Sequence, residues 1–349
     1  MKKIELFFKR VVPVLLLSAV VSCGKEDCIY DTVADESLIP ASCTLTNSLN
    51  LSTGIDAEGN AVQPGDGIID PYWKVLNNAP LVQCNDPLTA TINGSAYLIN
   101  FANFGLNDWV NMPTATTLAP MNLGTTNSFG CNNALNALGD IIPYVFERPF
   151  CVLKNTSVNY NFQYKGDDKV YFQLINNLTD EVLAQSTNYI YPDVPLVWSG
   201  TNLSLNEGSY SIRGFLVNVS SVVLGFSFTG TVETADGQDA ISNNVDGCCE
   251  NNTISILNIL DENCNQMFDG TDVFGTGWTF KVTDLSDNLI RTGTVNANGN
   301  IFFSGLPDGT YKVIAVAQDG YTTSSPAGGS VTVTLANNSV SVLPFYNCH

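Results

Sequence analysis

No stretch of this 349-residue chain repeats apolar residues at i, i+3, i+4 and i+7 over the turns an amphipathic helix needs. Asn132 to Leu138 is the best candidate for a short helix. Elsewhere the chain carries short runs of Val, Ile, Phe, Tyr and Thr, bounded by Gly, Asn, Asp and Pro. Examples are 170–175, 210–217, 222–228, 278–282, 311–316 and 331–335. Strands at this spacing predict an all-β chain built as sandwiches. A polar stretch from Glu233 to Thr253, rich in Asn and Asp, reads as a linker between two β domains.

Two counts narrow the chemistry. Histidine occurs once, as His349, so neither a Ser-His-Asp triad nor a multi-histidine zinc site can be assembled. Acidic residues outnumber basic ones 33 to 14, a formal net charge of −19. A field of that sign repels a phosphate backbone, so nucleic acid is excluded as a partner.

The few basic residues cluster at the start. Lys2, Lys3, Lys9 and Arg10 precede an apolar run from Val11 to Val21. That run is too short to span a bilayer and fits the apolar region of a secretory signal. It ends in Val20-Val21-Ser22-Cys23, which resembles a bacterial lipobox. The resemblance implies cleavage after residue 22 and lipid attachment at Cys23, and with it an anchor in the outer membrane. The alternative is an ordinary signal peptide with a chance cysteine. Cleavage removes four basic residues and one acid, taking the net charge from −19 to −22. Residues 23–43 then form an acidic tether. Its Gly24-Lys25-Glu26-Asp27 resembles the surface-export signal of Bacteroidota lipoproteins, and Asp31-Thr32-Val33 resembles the O-glycosylation motif of that phylum, with Thr32 as acceptor. The resemblance implies exposure at the cell surface.

There are ten cysteines. Export makes disulfides the default reading, and Cys23 as a lipid carrier leaves an odd number. No Cys-x-x-Cys pair is present, so zinc ribbons and thioredoxin-like chemistry lack support. Connectivity does not follow from sequence. Local pairings would be Cys28 with Cys43, Cys131 with Cys151, and Cys264 with Cys348, while adjacent Cys248 and Cys249 could staple a domain junction.

Residues 44–247 run from Leu51-Ser52-Thr53-Gly54 to Asp70-Pro71-Tyr72-Trp73. They continue through Tyr144-Val145-Phe146-Glu147-Arg148-Pro149-Phe150, Gly166-Asp167-Asp168 and Leu205-Asn206-Glu207-Gly208-Ser209-Tyr210. This order resembles galactose-binding-like jelly-roll domains of exported bacterial proteins, and implies a jelly-roll-like β-sandwich. Asp167 and Asp168 could be a carboxylate pair. Adjacent strand residues point to opposite faces, however, which favours a turn role. Trp73 lies inside the motif and reads as structural. Trp109 and Trp198 are the candidates for stacking on a sugar ring, against the ordinary reading of sandwich tryptophans as packing.

Residues 250–349 carry Ile254-Ser255-Ile256, Gly277-Trp278-Thr279-Phe280, Asn298-Gly299-Asn300, Gly305-Leu306-Pro307-Asp308-Gly309-Thr310-Tyr311 and Gly320-Tyr321. They resemble the prealbumin-like B-type repeats of bacterial adhesins, the collagen-adhesin B and serine-aspartate-repeat B domains. The resemblance implies a smaller, Ig-like β-sandwich. Many such domains close a Lys–Asn isopeptide bond. Here Asn258 stands at the lysine position and Ala315 at that of the acid, so no isopeptide is expected although Asn347 is retained. Asp261, Asn263, Asn265, Asp269 and Asp272 resemble the acidic calcium loop of the serine-aspartate repeats; oxygen ligands at alternate positions suit calcium. Gln266 replaces the expected turn glycine and the closing glutamate is missing, which leaves a plain polar loop as the alternative.

The resulting expectation is a non-catalytic, lipid-anchored surface protein for adhesion or glycan binding. The alternative is a structural subunit of an outer-membrane complex that binds protein. A glycoside-active enzyme ranks below both, because no nucleophile motif accompanies the scattered acids.

Overall fold

The computed structural model describes residues 43–77, 81–82, 94–99, 112–120, 132–133, 141–190, 194–218, 224–243, 248–269, 272–336 and 339–349. Residues 39–349 belong to one compact unit. Within it the chain is all-β. The first group of strands is β1 (Ser48–Asn50), β2 (Ile69–Val75), β3 (Leu81–Val82), β4 (Ser95–Ile99), β5 (Thr117–Ala119), β6 (Asn132–Asn133), β7 (Tyr144–Val152) and β8 (Thr156–Asp167). It continues with β9 (Lys169–Asn176), β10 (Glu181–Gln185), β11 (Tyr189–Ile190), β12 (Leu196–Leu205), β13 (Gly208–Val217), β14 (Gly225–Thr234) and β15 (Ile241–Ser242). The second group is β16 (Asn252–Leu260), β17 (Val273–Phe274), β18 (Thr279–Thr283), β19 (Leu289–Thr294), β20 (Asn300–Leu306), β21 (Gly309–Ala315), β22 (Thr322–Ser325), β23 (Ser330–Leu335) and β24 (Val340–Cys348).

The main hydrogen-bonded path of the first group runs β10-β9-β13-β7-β2-β4-β5-β14-β8-β12. Strands far apart on this path meet through their side chains. Phe172 on β9 lies 4.6 Å, ring to ring, from Phe228 on β14, and Tyr164 on β8 lies 5.1 Å from Phe172. The sheet therefore folds over itself into a sandwich, with aromatic rings as its filling. Trp73 sits at the centre, fully buried, edge-on to Phe226 and Phe228 at 5.5 Å each. Large rings suit this role because each removes roughly 150–250 Å² from water.

In the second group, β17-β16-β24-β22, with β20 also on β16, packs against β19-β18-β21-β23. Phe280 on β18 meets Phe345 on β24 at 4.9 Å across that interior. The first and last strands, β16 and β24, pair in parallel from Thr253↔Val340 to Leu260↔Asn347. Buried Asn258 and Asn347 are joined there by an amide hydrogen bond of 2.8 Å.

One local device recurs in both groups. Leu205-Asn206-Glu207-Gly208-Ser209-Tyr210 and Leu306-Pro307-Asp308-Gly309-Thr310-Tyr311 both connect successive strands that do not pair with each other, β12 to β13 and β20 to β21. In each, the tyrosine hydroxyl donates to the carbonyl four residues back, at 2.9 Å to Asn206 and 2.8 Å to Pro307. The bond lets the phenol bury its ring while its polar tip is satisfied.

Several sequence expectations change. The stretch 233–253 is not a plain linker: it contains the end of β14, all of β15 and the start of β16. Asn132 and Asn133 pair with β3 as a strand rather than opening a helix, and the rest of that candidate helix lies outside the described residues. Cys43 is bonded to Cys248 rather than Cys28, and Cys151 to Cys249 rather than Cys131. The reason is sheet geometry. Ser242 on β15 pairs with Cys151 on β7, which carries the following Cys248-Cys249 dipeptide to that end of the sheet. Cys264 is bonded to Cys348. Among the described residues no cysteine is free. Cys23, Cys28, Thr32, Cys131 and Trp109 lie outside the described residues.

Where the two groups of strands meet, the contact is partly ionic. Arg213 on β13 donates to Glu147 on β7 at 3.0 Å and to the Ser304 hydroxyl on β20 at 3.3 Å. Thr253 on β16 donates to the other Glu147 oxygen at 3.3 Å. All four side chains are buried. Leu76, Val145 and Phe302 form an apolar cluster at the same junction.

Candidate binding face

Strands β12, β8, β14 and β1 form one exposed sheet face. Alternation along β8 builds it: Val158, Tyr160, Phe162 and Tyr164 turn into the core, leaving Asn159, Asn161 and Gln163 outside. The same alternation on β12 turns Trp198 in and Val197 and Ser199 out. Trp198 is therefore not a stacking platform. It is 6% exposed and packed against Tyr160 at 5.2 Å and Phe162 at 5.4 Å.

The strand register aligns these outward residues into rows. Ser199 lies opposite Asn161, Asn161 opposite Thr231, and Thr231 opposite Asn50. Val197, Gln163 and Thr229 form the next row, and Asn159, Glu233 and Ser48 the third. Neighbouring strands are about 4.8 Å apart, so a four-strand row spans roughly 14 Å, and successive rows lie about 7 Å apart. Gly230 keeps β14 close to β8: its φ is +140°, and a Cβ there would collide with the Asn161 carbonyl oxygen.

The outer row is tied down. Glu233 accepts from Thr231 at 3.1 Å and from Ser48 at 3.3 Å. By contrast, the side chains of Asn161, Gln163 and Ser199 are exposed and have no hydrogen-bond partner among the described residues. An amide offers two donors and an acceptor, a hydroxyl one donor and two acceptors. The face thus presents neutral, two-way hydrogen-bonding groups around the apolar spot of Val197. It suits a ligand rich in hydroxyls and offers no cation for a phosphate.

The other candidates are placed as follows. Buried Asp70 accepts the N–H groups of Gly54, Tyr72 and Trp73 at 2.7–2.9 Å, which seats the Asp-Pro-x-Trp segment. Burial raises its pKa, against the opposing pull of those bonds and of Arg148. Asp167 ends β8 and Asp168 forms the corner before β9. The five acidic-loop residues are brought together, but as one another's partners. Asp261 accepts from the backbone of Asn265 and Gln266, and Asp272 from that of Glu262 and Asp269. Asn263 and Asn265 both donate to Asp269 at 2.8 Å. Among the described residues no group of three or more His, Cys, Asp or Glu is placed to hold a metal ion.

A cleft of about 420 Å³ lies between β2, Ser95 and Ser339, with Lys74 in its wall. Burial lowers the Lys74 pKa to about 8, opposed by Glu147 on the paired strand. A lysine whose folded pKa lies below its unfolded value costs stability while both states are protonated. That cost is relieved as pH rises from about 8 towards 10.5. Urea denaturation at pH 7 and pH 9.5 should show the wild type gaining about 2 kcal/mol relative to Lys74→Met. Equal pH dependence of the two proteins would contradict this placement of Lys74.

No family model matches this sequence, and no curated relative matches it. Solved structures show distant likeness. The match to the Bacillus anthracis TIE protein has 13% identity and a TM-score of 0.22, covering 59% of this chain and 37% of that one. The minor pilin GBS52 of Streptococcus agalactiae matches at 13% identity and a TM-score of 0.24, over 56% of this chain and 84% of the pilin. A structure described as a CBM4 module matches at 9% identity and a TM-score of 0.24, over 46% and 99% respectively. Likenesses this remote carry no argument about function. The chain resembles, at a distance, β-domains of Gram-positive pilins and carbohydrate-binding modules, and matches no sequence family.

Proposed function

We propose that the mature protein is a non-catalytic binding protein of the cell surface, held at the outer membrane by lipid on Cys23, that engages glycan through the β12-β8-β14-β1 face. Residues 44–247 are the binding module and residues 250–349 a supporting one. The observation that carries this reading is the aligned grid of exposed, uncharged side chains at Asn161, Gln163 and Ser199, which have no partner among the described residues. Such groups lose little on desolvation compared with charges, and they match sugar hydroxyls in number and kind. The three disulfides fit an oxidising, exported setting.

A glycan array with the soluble mature chain tests it. The variant Asn161→Ala/Gln163→Ala/Ser199→Ala should bind the hit at least about tenfold more weakly, as expected for two or three lost hydrogen bonds at ~0.5–1.5 kcal/mol each. Its unfolding midpoint should not move, because all three side chains are exposed. An unchanged hit in this variant, or silence across the array, overturns the glycan reading. A scaffold role is the second reading. It is favoured by Leu285, Leu289 and Ile290, exposed on and beside the edge strand β19. Co-purification of membrane proteins, lost on Leu289→Lys, would support it.

A further inference from the structure

The disulfides do more than close loops. Cys43 precedes the first strand and is bonded to Cys248, after the last strand of the first sheet. Cys264 follows β16 and is bonded to Cys348, at the end of β24. A covalent path from residue 43 to residue 348 therefore skips both sandwiches. It crosses one disulfide, runs along the backbone from Cys248 to Cys264, and crosses the other.

The backbone part of that path is itself secured. Most of it is β16, fully buried over Asn252–Ile259. β16 is hydrogen-bonded on one side to β24, in parallel, and on the other to β20. A parallel partner means that pulling the two ends apart loads all the pairs at once in shear rather than opening them one by one. At its start, Cys249 is bonded to Cys151 on β7. Leu257 and Ile259 also pack into the core of the first sandwich.

We infer that the chain is a tension-bearing element: force applied between its two ends passes through residues 248–264 and two disulfides, and leaves the rest of both sandwiches unloaded. This function goes beyond glycan recognition and does not depend on it. Its quantitative consequence is near-inextensibility. The residues from 248 to 264 reach no more than about 55 Å at full stretch, at roughly 3.5 Å per residue. The bypassed loops, separated by 205 and 84 residues, would release about 700 Å and about 290 Å.

Single-molecule stretching of the mature chain, with handles at its two ends, measures this. Oxidised protein should show no release step longer than about 60 Å, whereas protein in reductant should show releases near 700 Å and 290 Å. The Cys264→Ser/Cys348→Ser variant should add a release of about 290 Å alone, since residues 265–347 contain no other cysteine. Long releases in the oxidised wild type overturn the inference, as does a reduced protein that lengthens no further than the oxidised one. Peptide mapping under non-reducing conditions reads the pairs without any variant. Linked peptides joining Cys43 to Cys248 and Cys264 to Cys348 are expected, and any other partner for either pair refutes the path.

Discussion

Glu147→Leu is expected to destabilise the protein by about 3–5 kcal/mol, the range seen when one partner of a buried ion pair is removed. The cost comes from what is left behind. Arg213 is 5% exposed and loses its 3.0 Å carboxylate partner. Its remaining acid, Asp180, is 3.7 Å away and half-exposed. Thr253 and Ser304 lose the acceptor that links β16 and β20 to β7. The double variant Glu147→Leu/Arg213→Met should recover most of the loss, because it removes the stranded charge and leaves an apolar junction beside Leu76, Val145 and Phe302. Chemical denaturation of the two single variants and the double variant checks this. Additive losses would mean that the pair does not act as a unit.

Removing the Cys43–Cys248 bond, as Cys43→Ser/Cys248→Ser, should cost about 2–5 kcal/mol. With Cys151–Cys249 intact, which already spans 98 of the 205 residues between Cys43 and Cys248, the bond closes a loop of about 110 residues, against 84 for Cys264–Cys348. Chain entropy alone makes the larger loop worth only about 0.2 kcal/mol more. The bond also completes a buried cluster of Cys151, Leu153 and Cys248, on which Cys43, Leu45 and Cys249 pack. The order of effects is therefore expected to be Cys43→Ser/Cys248→Ser above Cys264→Ser/Cys348→Ser, measured as denaturation midpoints in non-reducing buffer. The reverse order would show that the native contacts around Cys264 outweigh loop length.

How far the molecule is legible from sequence depends on whether local or long-range geometry decides each feature. The strands at 170–175, 210–217 and 331–335 are written in local alternation and turn residues, and they appear as β9, β13 and β23. The recurring Leu-x-x-Gly-x-Tyr turn is also local. Trp198 misleads because a polar neighbourhood in sequence says nothing about which side of the strand faces the core. Its neighbours Val197 and Ser199 hold the exposed positions instead. The binding face has half its signal in sequence, as Asn159, Asn161 and Gln163 alternate with Val158, Tyr160 and Phe162. The other half is the pairing of β8 with β12 and β14, which joins residues roughly 40 and 70 positions apart and leaves no local trace. Two of the three expected cysteine pairings fail for the same reason, since the partners of Cys43 and Cys151 are 205 and 98 residues away, while Cys264–Cys348 is found as expected. Glu147 and Arg148 are charged residues within a strand of otherwise apolar character, and only the fold names Arg213 as the partner of the first.

The central claim is that this chain recognises hydroxyl-rich ligand on the outer face of β12, β8, β14 and β1. Backbone and side-chain amide NMR during titration with a glycan from the array tests it most directly. Shifts concentrated at Asn161, Gln163, Ser199 and Thr231, with the Asn161 and Gln163 side-chain amides moving most, are the expected result. Shifts concentrated instead around the cleft of Asp70, Lys74 and Ser339, or a spectrum that does not change, would contradict it.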